Sequence, residues 1–118
     1  MADAKLVLLI QKMMDKTATG QLHWEVAAQK DGFQVSFTDY SIILSGRASR
    51  GMPGNLEYVL SVYNSQGQLI DEVGDEDLKP ADLPPSPYNQ MKAMYNSARR
   101  IALGVDAAIN KLLEEIGD

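Results

Sequence analysis

The stretch Asp31-Gly32-Phe33-Gln34-Val35-Ser36-Phe37-Thr38 decides the fold. Asp-Gly is a strong hairpin signal because both residue types enter positive-φ turn conformations at low cost. Beyond it, Phe33, Val35 and Phe37 alternate with Gln34, Ser36 and Thr38, the period of two expected of a strand with one buried and one wetter face. On the other side of the turn, Leu22, Trp24, Val26 and Ala28 alternate with Gln21, His23 and Glu25. The turn therefore joins two antiparallel strands.

Working toward the C-terminus, Asp39 breaks the second strand, and Tyr40, Ile42 and Leu44 share one parity of a third. The segment from Gly46 to Gly54 is too rich in Gly and Pro to continue a strand and is expected to form an exposed loop. Leu56, Tyr58, Leu60 and Val62 form one face of a fourth strand over 56–63; Asn64-Ser65-Gln66-Gly67 supplies turn chemistry before a fifth over 68–73. The order predicts a four- to five-stranded antiparallel meander. Ile43, Val59 and Tyr63 sit on the opposite parity, which makes that face partly apolar and gives a first hint of an interface.

Helical periodicity brackets the strands. Leu6, Leu9, Ile10, Met13 and Met14 follow the spacing of an amphipathic helix over about 3–17, with Asp3 as its N-cap. Residues 74–85 form a polar, acidic, proline-containing connection expected to lack regular structure. Ser86 then caps a helix with Pro87 at its first position, where the missing N–H costs nothing. Tyr88, Met91, Tyr95, Ala98, Ala102, Val105, Ile109, Leu112 and Ile116 recur at alternating spacings of three and four, a heptad seam widened by Met94, Ile101 and Ala108. Such a helix would be roughly 45 Å long, while five strands span only about 24 Å. Its last part, 105–116, is expected to overhang and to pack on the N-terminal helix or on a second copy. Residues 1–118 thus read as a single α+β domain: an N-terminal helix, the meander, and a long C-terminal helix packed on the sheet.

Composition narrows the function classes. Sixteen acidic residues against eleven basic ones give a formal charge of −5, which repels nucleic acid and anionic membrane surfaces at long range. The absence of cysteine excludes disulfides, thiol catalysis and thiolate metal sites. The apolar run Leu6–Ile10 is too short for a signal-peptide core or a membrane span, so a cytoplasmic protein with no membrane association is expected.

Candidate chemistry is sparse. His23 is the single histidine, and with Glu25 on the same strand face it reads as a solvent-facing pair. Gly46 to Gly51 has the glycine spacing of a phosphate-binding loop, but Met52-Pro53 stands where Lys and Ser or Thr are needed, and a strand follows instead of a helix. Arg47 and Arg50 are expected to be solvated at a hairpin tip, where they could grip carboxylates of a partner. Asp71, Glu72, Asp75, Glu76, Asp77 and Asp82 form the densest acidic stretch and read as a solvated connection. Arg99 and Arg100 border the seam, with an ion pair to an acidic residue expected for at least one.

No nucleophile elbow, triad, metal motif or cofactor signature is present, so no cofactor is expected. The leading expectation is a small non-enzymatic protein-binding module whose partner is a protein or a second copy in a homodimer. Its candidate partner-binding residues are Arg47, Arg50, Tyr63, Arg99 and Arg100. One alternative is a nucleic-acid-associated protein using the four arginines as a local patch. The other is a small enzyme working through a carboxylate or His23 in a cleft.

Overall fold

In the computed structural model, which describes residues 3–117, both expected side-chain caps are in place. Asp3 Oδ1 accepts from the Lys5 N–H at 2.7 Å and starts α1 (Ala4–Ala18). Ser86 Oγ accepts from the Asn89 N–H at 3.3 Å and starts α2 (Pro87–Ala102), with Pro87 at its first position. Between these helices run β1 (Glu25–Val26), β2 (Gly32–Ser36), β3 (Tyr40–Ala48), β4 (Leu56–Asn64) and β5 (Leu69–Gly74), each antiparallel to the next in the order β1-β2-β3-β4-β5. The architecture is the α+β helix–meander–helix arrangement that the alternating periods predict.

Register places Phe33 opposite Leu44, Ile42 opposite Val62, and Leu60 opposite both Leu44 and Val73, so these residues share one sheet face. Ile10 and Met13 of α1, with Met91, Met94 and Ala98 of α2, complete the core on that face. The α1 helix is tied down by Trp24, whose buried indole N–H donates to Thr17 Oγ1 at 3.0 Å, while that hydroxyl donates to the Met13 carbonyl at 2.6 Å. A buried donor left without an acceptor costs roughly 1–3 kcal/mol, so this relay fixes the chain's turn from α1 into β1.

The opposite face carries small side chains between longer ones. Ser45, Val59 and Ser61 are all at most 5 % exposed, although α1 and α2 pack on the other side. Cross-strand and diagonal neighbours on this face, among them Ile43, Tyr63, Arg47 and Glu57, shield them.

Four local expectations are revised. First, the helix expected to run unbroken over 87–116 is two helices. Gly104 adopts left-handed φ/ψ of 61°/39°, and α3 (Val105–Ile116) restarts beyond it. Glycine takes that conformation without the Cβ clash that other residues meet. Second, β3 runs through Gly46 to Ala48, which shortens the expected loop to 49–55, because Gly46 pairs with Tyr58 and Arg47 with Glu57. Third, β1 is only two residues long, with Val26 exposed and Ala27 buried in its place. The Ala27 N–H bonds back to the Gly32 carbonyl, and Asp31, at φ 57°, supplies the left-handed residue of a longer turn. Fourth, the acidic connection opens with a 3-10 turn, Asp75–Asp77, in which Asp75 is buried.

Candidate functional site

The site grows from one cross-strand pair. Arg47 and Glu57 face each other across β3 and β4 on the sheet face opposite the core, and Arg47 Nε donates to Glu57 Oε1 at 2.9 Å. Glu57 is fully buried, a placement a carboxylate takes only when paired and hydrogen-bonded. Its second oxygen accepts from Arg50 Nη2 at 2.8 Å and from the Glu76 N–H at 3.3 Å. One carboxylate thus ties β3, the 49–55 loop and the 3-10 turn together.

Both arginines reach further acids. Arg47 Nη1 lies 3.4 Å from Glu72, while Arg50 Nη2 lies 3.1 Å from Asp77 and its Nε 3.7 Å from Glu76. Ser49 Oγ donates to Glu76 Oε2 and accepts from the Gly51 and Met52 N–H groups, which fixes the loop. The expectation of two arginines merely solvated at a hairpin tip is therefore revised: both are ion-paired, with 38 % of the Arg47 and 57 % of the Arg50 side chain still exposed. Glu72, Glu76 and Asp77, from the acidic run read as a solvated connection, are their further partners. The hydrogen bond that Arg47 donates to Glu57 holds its guanidinium above its ordinary pKa, and those that Arg50 donates to Glu57 and Asp77 do the same for Arg50. The Gly74 N–H, then Arg50, holds the Asp77 carboxyl below the usual range.

Beside this cluster opens a cleft of about 520 Å³ between the 49–55 loop, the 3-10 turn and the first turn of α2. Met52, Leu56 and Tyr88 form its apolar wall; Asp75 and Glu76 supply its carboxylates. Burial pushes the Asp75 carboxyl upward, against the hydrogen bond that its Oδ2 accepts from the Tyr58 N–H at 2.7 Å. A smaller space of about 120 Å³, between α1 and α2, lies below the usual size of ligand pockets.

The other sequence candidates lie elsewhere. Arg100 Nη2 pairs with Asp106 at 2.5 Å across the α2–α3 break. Arg99 is exposed and has no ion-pair partner among the described residues. Tyr63 is half-buried at the β-bulge between β4 and β5. The structure thus brings Arg47 and Arg50 together and leaves Tyr63, Arg99 and Arg100 apart from them. His23 Nε2 sits 3.3 Å from Glu25 with 85 % of its side chain exposed. Among the described residues no group of His, Cys, Asp and Glu is placed to hold a metal ion, and no helix is long and apolar enough to cross a membrane.

Glu57, the centre of the cluster, and the Asp75 cleft escaped sequence reasoning. The available signal was a glutamate as the one charged residue of a largely apolar strand, one position before Tyr58, with two arginines a hairpin away.

At the far end of α2 the surface changes character. Val105, Ile109, Leu112, Leu113 and Ile116 form the apolar stripe of α3, yet no residue of α3 is buried. Ile109, Leu112, Leu113 and Ile116 are 44–77 % exposed, and the helix packs against α2.

No protein-family model, no curated protein and no solved structure matches the chain.

Proposed function

We propose that the chain is a non-enzymatic protein-binding module and that α3 is its docking element. The observation that carries this reading is the apolar stripe of α3, exposed along its length. An isolated helix of fewer than about 12–15 residues is marginal in water, because its few hydrogen bonds scarcely offset the cost of nucleation. A 12-residue helix with no buried residue in its own chain draws its stability from a second surface, and amphipathic helices dock through stripes of this kind. The first partner to test is a second copy of the chain. The ion pairs of Arg47, Arg50 and Arg100 count against a free basic patch for nucleic acid, and the solvation of His23 counts against catalysis through it.

Hydrogen exchange over residues 105–116, followed across protein concentration with light scattering in parallel, tests the reading. With a second copy as partner, protection of α3 rises with concentration as the scattering mass doubles. Replacement of Ile109 and Leu112 by Asp, both at exposed positions, removes both effects and leaves the core's exchange unchanged. Fast exchange at every concentration points to a different protein as the partner. Strong protection of α3 in a strict monomer overturns the proposal, because the helix would then need nothing outside its own chain.

A further inference from the structure

We infer that α3 pairs with α3 of a second copy in antiparallel orientation across a two-fold axis, Val105 of each against Ile116 of the other and Ile109 against Leu112. The inference rests on the reading of α3 as the docking element and commits it to one occupant and one orientation.

The apolar stripe is self-complementary. A two-fold interface sets residue i against residue j and j against i, so a helix that pairs antiparallel with its own copy presents a stripe that reads alike from both ends. Val105, Ile109, Leu112 and Ile116 follow one another at spacings of four, three and four, an order that reversal leaves unchanged. These are the spacings of a heptad seam, whose side chains interlock with a second helix.

Charge sets the orientation. Arg99 and Arg100 stand in the last turn of α2, just before α3, while Glu114 and Glu115 stand in the last turn of α3, which holds no basic residue. All four are exposed. Arg100 pairs with Asp106 in the first turn of α3, whereas Arg99, Glu114 and Glu115 have no ion-pair partner among the described residues. Within one chain the two glutamates lie at the negative end of the helix macrodipole, where carboxylates are destabilising. Antiparallel pairing carries them to the positive end of the second α3, on the side of its arginines; parallel pairing sets the glutamates of both copies side by side.

Connectivity agrees with charge. The rest of each chain joins α3 at Val105, and antiparallel pairing keeps the two junctions about 16 Å apart along the helix axis. Parallel pairing would bring both bodies to the same end. Two helices of 12 residues offer a small interface, so the expected dimer is weak, with a dissociation constant on the order of 0.1 mM.

The chain holds no cysteine, so introduced thiols report the pairing. Full-length Val105→Cys and Ile116→Cys variants are incubated in a glutathione redox buffer, each alone and the two mixed, at about 0.1 mM protein. Expected is a disulfide joining the two different variants at least about ten-fold faster than either links to itself, because like positions lie about 16 Å apart in the antiparallel pair, beyond disulfide reach. Sedimentation equilibrium of the cysteine-free chain gives the second reading. Glu114→Lys with Glu115→Lys is expected to weaken the dimer about five-fold at low salt, even though the change favours the isolated helix. Self-linking of each variant without mixed linking, or a dimer unchanged or tightened by the lysines, overturns the antiparallel arrangement and leaves α3 as the docking element. Mixed linking no faster than self-linking of Gln66→Cys, at the exposed turn between β4 and β5, overturns the second copy as occupant, and the docking reading then stands or falls on the hydrogen exchange of α3.

Discussion

The carboxylate of Glu57 occupies the space that a side chain at position 74 would need. A Cβ built on Gly74 would stand 2.6 Å from Glu57 Cδ and closer still to Oε2. Gly74 has no left-handed φ to explain it, so its role is the close approach of the buried carboxylate to the β5 backbone.

Gly74→Ala is therefore expected to destabilise the fold by about 1–3 kcal/mol, the usual cost of overpacking a rigid site. Urea unfolding checks it. The cause is isolated by the double variant with Glu57→Ala, in which the added methyl group meets no carboxylate, so the cost of Gly74→Ala should shrink in that background. An undiminished cost would assign the effect to the strand and not to Glu57.

Removing the two sides of the ion cluster should have unequal consequences. Glu57→Gln replaces charged hydrogen bonds with neutral ones and frees two guanidiniums that already reach solvent, for a loss of roughly 1–3 kcal/mol. Replacing Arg47 and Arg50 together by Ala leaves a fully buried carboxylate without a counter-ion, the more damaging change. The double arginine variant should unfold at lower urea than Glu57→Gln. The reverse order would mean that Glu57 is reached by water once the arginines are gone.

Asp75 and Asp77 predict opposite pH behaviour. The carboxyl of Asp77 is held low, by the Gly74 N–H foremost, so its stabilising contribution is present above the ordinary carboxylate pKa near 4 and is lost as pH falls through its lowered value. Burial holds Asp75 high, so its contribution is fully present below about pH 4 and is lost as pH rises through its raised value. Asp75→Asn, which keeps an acceptor for the Tyr58 N–H, should be at least as stable as the parent at pH 7 and lose that advantage below about pH 4. Asp77→Asn should be less stable at pH 7, with the gap closing in acid. Thermal unfolding from pH 3 to pH 7 separates the two.

The strands were legible because a period of two survives wherever one face is buried, as Phe33, Val35, Ile42, Leu44 and Leu60 show. The ion cluster was hidden by a single boundary. Reading Gly46 as the end of β3 took Arg47 out of the sheet, and with it the register that sets Arg47 against Glu57. Asp75 was hidden for a different reason. An acidic run looks solvated in composition, and only the packing of the 3-10 turn against β4 distinguishes its one buried member from Glu76 and Asp77. Phe37 shows the converse: its parity points inward, but β2 ends at Ser36 and the turn closed by the Phe37 N–H on the Tyr40 carbonyl leaves the ring 47 % exposed.

The break between α2 and α3 leaves the least trace in the apolar pattern, since the stripe from Tyr88 to Ile116 runs through Gly104 without a change of phase. This continuity makes the break easy to remove. Any residue other than glycine pays about 1–2 kcal/mol in the left-handed conformation of Gly104, and no atom lies within 4 Å of a Cβ built there. The contacts that oppose straightening are those of α3 with α2 and the exposed Arg100–Asp106 pair, and an exposed pair contributes at most about 1 kcal/mol. Gly104→Ala should therefore convert residues 87–116 into one continuous helix, with a stability change within about 0.5 kcal/mol, a stronger helical circular-dichroism signal and a changed maximum dimension in small-angle scattering. A loss of 1–2 kcal/mol with unchanged scattering would show instead that the break is held by packing, and that α3 is anchored to its own chain more firmly than its exposed stripe implies.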